Sequence, residues 1–144
     1  MAWRSLWSRS KEEVILPEEA YAKGMEAWKS GALDVAQDFL QRAAEARPTE
    51  LKYVGNLGNL YHEREDWVSA LRCHRAAAEI APDHAGAHRN QGKAFLQMGR
   101  FHEATRAYER SLELEPTDAQ SAVLCAHALA SSGDLVGAWV RCEV

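Results

Sequence analysis

Cysteine is scarce in this chain of 144 residues: only Cys73, Cys125 and Cys142 occur, an odd number and far apart. That excludes a disulfide framework and reads as reduced thiols in a cytoplasmic setting. No apolar run reaches the roughly 18 residues of a membrane span, so no transmembrane helix is expected. The first ten residues lack the apolar core and small-residue cleavage site of a secretory signal. Positive charge is not in excess either, the net charge being −4. A nucleic-acid binder driven by phosphate neutralisation is therefore not expected.

The patterns that announce chemistry are also missing. There is no H-E-x-x-H, no C-x-x-C and no phosphate-cradling glycine loop. His84 and His88 have a helical metal spacing, but His84 falls in a turn and no third ligand stands at a matching distance. Cys73 and His74 are adjacent, so on a helix they diverge by about 100° and cannot form a nucleophile–base pair on one face. Cys125 and Cys142 sit where a small interior residue is wanted and read as buried, inert thiols. The expectation is a protein that is not an enzyme, with no metal and no cofactor.

What the chain does have is a period. Pro48, Pro82 and Pro116 are spaced by 34 residues, as are Gly24, Gly58 and Gly92, and as are Ala36, Ala70, Ala104 and Ala138. A beat held without insertion or deletion marks a stacked repeat array, which presents long surfaces to partners. The repeats run 17–50, 51–84 and 85–118, with a partial fourth at 119–144. Each divides into two helix-period segments around a turn at Gly31, Glu65, Gly99 or Gly133. Helices are expected at 17–30, 33–46, 51–64, 67–80, 85–98, 101–114, 119–131 and 134–143. The prolines close the second helix of a hairpin, and the Thr or Asp after each is expected to open the next.

The small residues have a steric reason. Gly24, Gly58, Gly92 and Ala126 lie where a first helix must approach its second closely, opposite the periodic alanines. Tyr61, Phe95, Leu129, Leu33, Trp67, Phe101 and Leu135 fill the space beside them, and Leu40 and Tyr108 complete the seam.

These residues carry a resemblance. The pattern Trp, Leu-Gly, Tyr, Ala, Phe, Ala and Pro over 34 residues is that of the tetratricopeptide repeat family. Leu57, Gly58, Tyr61, Ala70, Ala77 and Pro82 match it, as do Gly92, Phe95, Ala104, Tyr108 and Pro116. Ala20, Val54, His88 and Ala122 replace the opening Trp, and His74 replaces the late Phe, a change expected to loosen that part of the core. The resemblance covers residues 17–144. It implies an all-α, right-handed superhelix of antiparallel helix hairpins with a concave groove lined by first helices.

By the same resemblance, positions 2, 5, 6, 9, 12 and 13 of each repeat face that groove. Tyr21, Met25 and Trp28 then form an apolar end, and Asn56, Asn59, Arg89, Asn90 and Lys93 a polar, mildly basic end. A side-chain amide both donates and accepts, so such residues suit the backbone of an extended peptide. The cations suit acidic residues or a free carboxylate. The expected role is a scaffold or adaptor that binds a protein or peptide in its groove. The family's two-carboxylate clamp for chaperone tails is incomplete. Asn59 and Asn90 have its spacing, but Gly55, Gln120 and Leu124 stand where cations belong.

The ends read differently. Trp3, Leu6 and Trp7 share a helical face among Arg4, Arg9 and Lys11, so residues 1–16 form a leader that caps the first hairpin or touches a membrane surface. Leu135, Val136, Trp139 and Val140 leave apolar surface at the other end, which suits homodimerisation or a longer array. A structural assembly module, a secretion-chaperone-like module, or the regulatory repeat arm of a longer enzyme are the alternatives.

Overall fold

The computed structural model describes residues 14–142, and the leader carrying Trp3, Leu6 and Trp7 lies outside them. The described residues form eight helices and no strand: α1 (Pro17–Lys29), α2 (Leu33–Ala46), α3 (Leu51–Glu63), α4 (Trp67–Ile80), α5 (Ala85–Gln97), α6 (Phe101–Leu114), α7 (Ala119–Ser131) and α8 (Leu135–Cys142). None of these is long and apolar enough to cross a membrane. They divide into two compact units, the first ending at Arg47 and the second beginning at Pro48.

Each hairpin is bent by local chemistry. Gly31, Gly99 and Gly133 adopt φ of +82°, +72° and +93°, the left-handed conformation that only glycine takes at no steric cost. Glu65 takes the same turn at φ +61°. Its backbone bonds are those of the glycine turns, with Asp66 N–H donating to the Tyr61 carbonyl at 2.9 Å and Glu65 N–H to that of His62 at 3.1 Å. At the other ends, Arg47, Ala81 and Glu115 are pulled out of helical geometry because each precedes a proline.

Helix starts correct one expectation. The capping residues are Glu50, His84 and Asp118, one place later than the Thr or Asp that follows each proline. The His84 side chain accepts from the Ala87 N–H at 3.0 Å, and Asp118 accepts from the N–H groups of Gln120 and Ser121. Glu50 makes no side-chain cap bond.

Close helix crossings set the interior. In the first unit, a Cβ on Gly24 would lie 2.8 Å from Leu40 Cγ. In the second, one on Gly58 would lie 2.7 Å from His74 Cε1, and one on Gly92 2.7 Å from Tyr108 Cε1. Glycine is thus required at these crossings by space. His74 is only 1% exposed and occupies the position of the missing phenylalanine. Leu71, Ala94, Phe95, Ala104, Ala107, Tyr108, Cys125 and Ala128 form the core of the second unit, drawn from α4, α5, α6 and α7. Trp67 and Phe101 are half-buried beside their crossings.

Two assignments at the C-terminal end are overturned. Cys142 is exposed, not a buried thiol, and Leu135 is 71% exposed, not a core filler. Repeat position places a residue in the core only where a further helix covers it, and among the described residues none covers the outer face of α8. Val136, Trp139 and Val140 share this exposure. Cys125 is buried, and burial raises its thiol pKa.

Candidate functional site

The second unit carries a cavity of about 410 Å³ bounded by α3, α4 and α5. From α3 come Lys52, Gly55, Asn56 and Asn59, which are groove positions 2, 5, 6 and 9 of their repeat. Helix α5 contributes Ala87 and Asn90, α4 contributes His74 and Ala77, and the turns add Glu50 and His84.

The three asparagines expected at the site all line this cavity. Asn90 Nδ2 donates to Asn59 Oδ1 at 3.2 Å, bridging neighbouring repeats. Asn56 Nδ2 donates to the Lys52 carbonyl on its own helix at 2.9 Å. The Lys52 ammonium stands 5.3 Å from the centre of the Tyr53 ring, a cation–π distance.

The expected cations are placed elsewhere. Arg89 Nη1 donates to Asp118 Oδ2 at 2.6 Å, and neither Arg89 nor Lys93 lines the cavity. Hydrogen bonds from Ser121 above all, with Arg89 adding, hold the Asp118 carboxyl down to about 2 against the opposing effect of burial. Arg89 is thereby engaged by a carboxylate from its own chain. Ser121 Oγ also donates to Asp118 Oδ2 at 2.6 Å, and a 3.1 Å contact joins it to Ser111, whose hydroxyl donates to the Ala85 carbonyl. Position counting did not find this network, since apart from the local Asp118–Ser121 bond its partners sit 10 to 29 residues apart. The Arg89 and Asp118 signs were the only readable cue.

Lys93 is held below its ordinary pKa by burial first and by Arg89 second, with Asp118 opposing. His62 is lowered by burial and then by Lys93, and its ring meets Trp67 edge-on with centroids 4.9 Å apart. His74 is lowered to about 4 by burial, then by His62 and Lys93. These groups form a weakly basic cluster whose histidines favour the neutral form.

Tyr21, Met25 and Trp28 lie on α1 in the first unit, half-buried, and none lines the cavity of the second. His84 and His88 do not share a ligand: His84 Nδ1 caps α5, and His88 Nε2 lies 2.9 Å from the Pro82 carbonyl. Among the described residues no group of three or more His, Cys, Asp or Glu is arranged to hold a metal ion. Burial raises the Cys73 thiol pKa to about 11, the reverse of nucleophile activation.

Known proteins agree with this architecture. The tetratricopeptide repeat model matches residues 57–130, just over half of the chain. The small glutamine-rich tetratricopeptide repeat-containing protein 2 of Mycosarcoma maydis is 26% identical over 109 residues, 76% of this chain and 31% of that protein. Tetratricopeptide repeat protein 17 of Homo sapiens is 34% identical over 83 residues, 56% of this chain and 7% of that protein. The chain therefore spans less than a third of either relative. Among solved structures, MamA AMB-1 superposes with a TM-score of 0.84 at 22% identity, covering 92% of this chain and 73% of that one. The first TPR of Spaghetti (RPAP3), bound to the HSP90 peptide SRMEEVD, gives 0.76 at 22% identity, covering 81% and 93%. At such identities the likeness is one of fold. With hairpins, crossings and turns all on the 34-residue period, the chain belongs to the tetratricopeptide repeat family.

Proposed function

We propose that this chain is a protein–protein interaction module that binds an extended segment of a partner in the groove of its second unit. The carrying observation is the α3–α4–α5 cavity, where Asn56, Asn59 and Asn90 stand together over apolar Leu51, Ala77 and Ala87. An amide donates and accepts at once, so a guest backbone can insert into or extend the Asn59–Asn90 pair. The apolar residues accommodate the guest's side chains. A related fold, the RPAP3 repeat, is bound to a peptide with acidic residues, which supports a guest of that class here. Lys93 beside the cavity supplies positive charge for such a guest, while Arg89 braces Asp118.

The double change Asn56→Ala and Asn90→Ala tests this. A peptide selected from a random library on the full chain should bind the variant about tenfold more weakly by calorimetry, as expected for two neutral hydrogen bonds. The circular dichroism should be unchanged. Equal affinities would remove the groove from consideration.

A second reading rests on α8, where Leu135, Val136, Trp139 and Val140 are 71%, 74%, 61% and 52% exposed. Contiguous apolar surface of this kind serves assembly. A strictly monomeric mass by light scattering at high concentration would dismiss a homodimer through this end.

A further inference from the structure

The wall of the cavity contains one residue that breaks the family pattern. His74 stands on α4 where a phenylalanine is usual, and it is 1% exposed. Gly58 clamps it, a Cβ there falling 2.7 Å from Cε1 and 3.0 Å from Nδ1. Its carbonyl accepts from Gln91 Nε2 at 3.1 Å, which ties α4 to α5. The ring is thus held, yet its Nε2 is buried with no hydrogen-bond partner among the described residues. Buried polar atoms are satisfied in nearly all folded proteins, and an exception beside an open cavity invites a partner from outside.

The chemistry of the wall narrows that partner. His74 is neutral at neutral pH, its pKa lowered to about 4, so one ring nitrogen donates and the other accepts. A hydroxyl or a carboxamide satisfies either tautomer because each group does both. An apolar side chain would cover Nε2 and leave it unpaired. Glu50 and Lys52 line the same cavity with opposite signs, so the wall offers no net charge to select a charged side chain.

We propose that His74 is a specificity-determining residue, and that the α3–α4–α5 cavity takes a peptide side chain ending in a hydroxyl or a carboxamide. This rests on the groove reading above. Acidic residues of the same peptide are then met outside this subsite, by Lys93.

The test is selection from a random heptapeptide library on the full chain and on its His74→Phe variant. The native protein should enrich Ser, Thr, Asn or Gln at one peptide position by about fivefold, the worth of one neutral hydrogen bond. The variant should prefer apolar residues at that position and keep its preferences elsewhere. The same preference in both proteins would overturn the role of His74 and leave the groove intact. No enrichment, or enrichment that survives Asn56→Ala with Asn90→Ala, would reject the groove itself and the subsite with it. Imidazole 15N NMR of the unmodified chain gives an independent reading, whatever the folding of the variant. The selected peptide should move the His74 Nε2 resonance toward its hydrogen-bonded position, and an unmoved resonance sinks the inference.

Discussion

The second and third repeats place glycine at the same crossing and fill the space opposite with different chemistry. Gly92 lies over the phenol ring of Tyr108, and Gly58 over the imidazole of His74. Each ring keeps one buried polar atom unpartnered among the described residues, Tyr108 Oη and His74 Nε2. Their surroundings separate them. Tyr108 belongs to the core cluster, whereas His74 borders an open cavity. The turns that follow diverge in the same sense. Asp118 gathers Arg89, Ser121 and two backbone N–H groups, while His84 accepts a single backbone N–H. One repeat junction is braced by charge and the other borders an open cavity, on an identical period.

Removing the brace should have the largest effect. Asp118→Ala deletes a helix cap and leaves the half-buried Arg89 guanidinium without its carboxylate. A loss of about 2–4 kcal/mol in urea unfolding is expected. The pH dependence has a definite sign. The Asp118 pKa falls from 3.8 unfolded to about 2 folded, so its contribution is complete above pH 3.8 and vanishes as pH drops through 2. An unchanged midpoint and an unchanged acid transition in the variant would show that the junction is not braced there.

Crossing space gives the next effect. Gly92→Ala forces a Cβ against Tyr108 and should cost about 1–2 kcal/mol, overpacking outweighing the gain in helix propensity. Gly55→Ala on α3 meets nothing within 4 Å and should stabilise by up to ~1 kcal/mol. Equal melting shifts for the two would mean that position 8 of the repeat is not under steric demand.

The smallest effect sharpens the cavity side. His74→Phe removes the unpartnered nitrogen and should stabilise the free protein by about 1 kcal/mol at neutral pH. Folding lowers the His74 pKa from 6.5 to about 4. As pH falls between these values the unfolded chain takes up the proton first, so stability is full above 6.5 and declines toward 4. Calorimetric scans across that window should show a shallower decline in the variant. Parallel curves would indicate that His74 is already protonated or exposed.

Much of the fold was legible because proline and glycine act on their chain neighbours. Pro48, Pro82 and Pro116 end helices by clashing with the residue before them, and Gly31, Gly99 and Gly133 supply the left-handed turn. Expected and observed helices accordingly agree to within two residues. The errors lie where more than neighbours matters. The turn after each proline needs one further residue, so the caps moved to Glu50, His84 and Asp118. Cys142 and Leu135 were assigned to an interior that exists only where another helix covers them. The family's groove positions put Asn56, Asn59 and Asn90 on one face, and all three line the cavity, but they set Arg89 beside them without reference to Asp118.

Resemblance to the repeat family supplied the face that carries the asparagines, while the amino-acid order taken alone determined the period, the turns and the crossings that demand glycine. Each of these follows from sterics or spacing along one short stretch of chain. Only the tertiary structure decided that Arg89 pairs with Asp118, that Asn90 reaches Asn59 and that His74 borders the cavity with a nitrogen unsatisfied among the described residues. Hydrogen bonds require donor and acceptor within about 3 Å, and which side chains of different helices come that close is settled by packing.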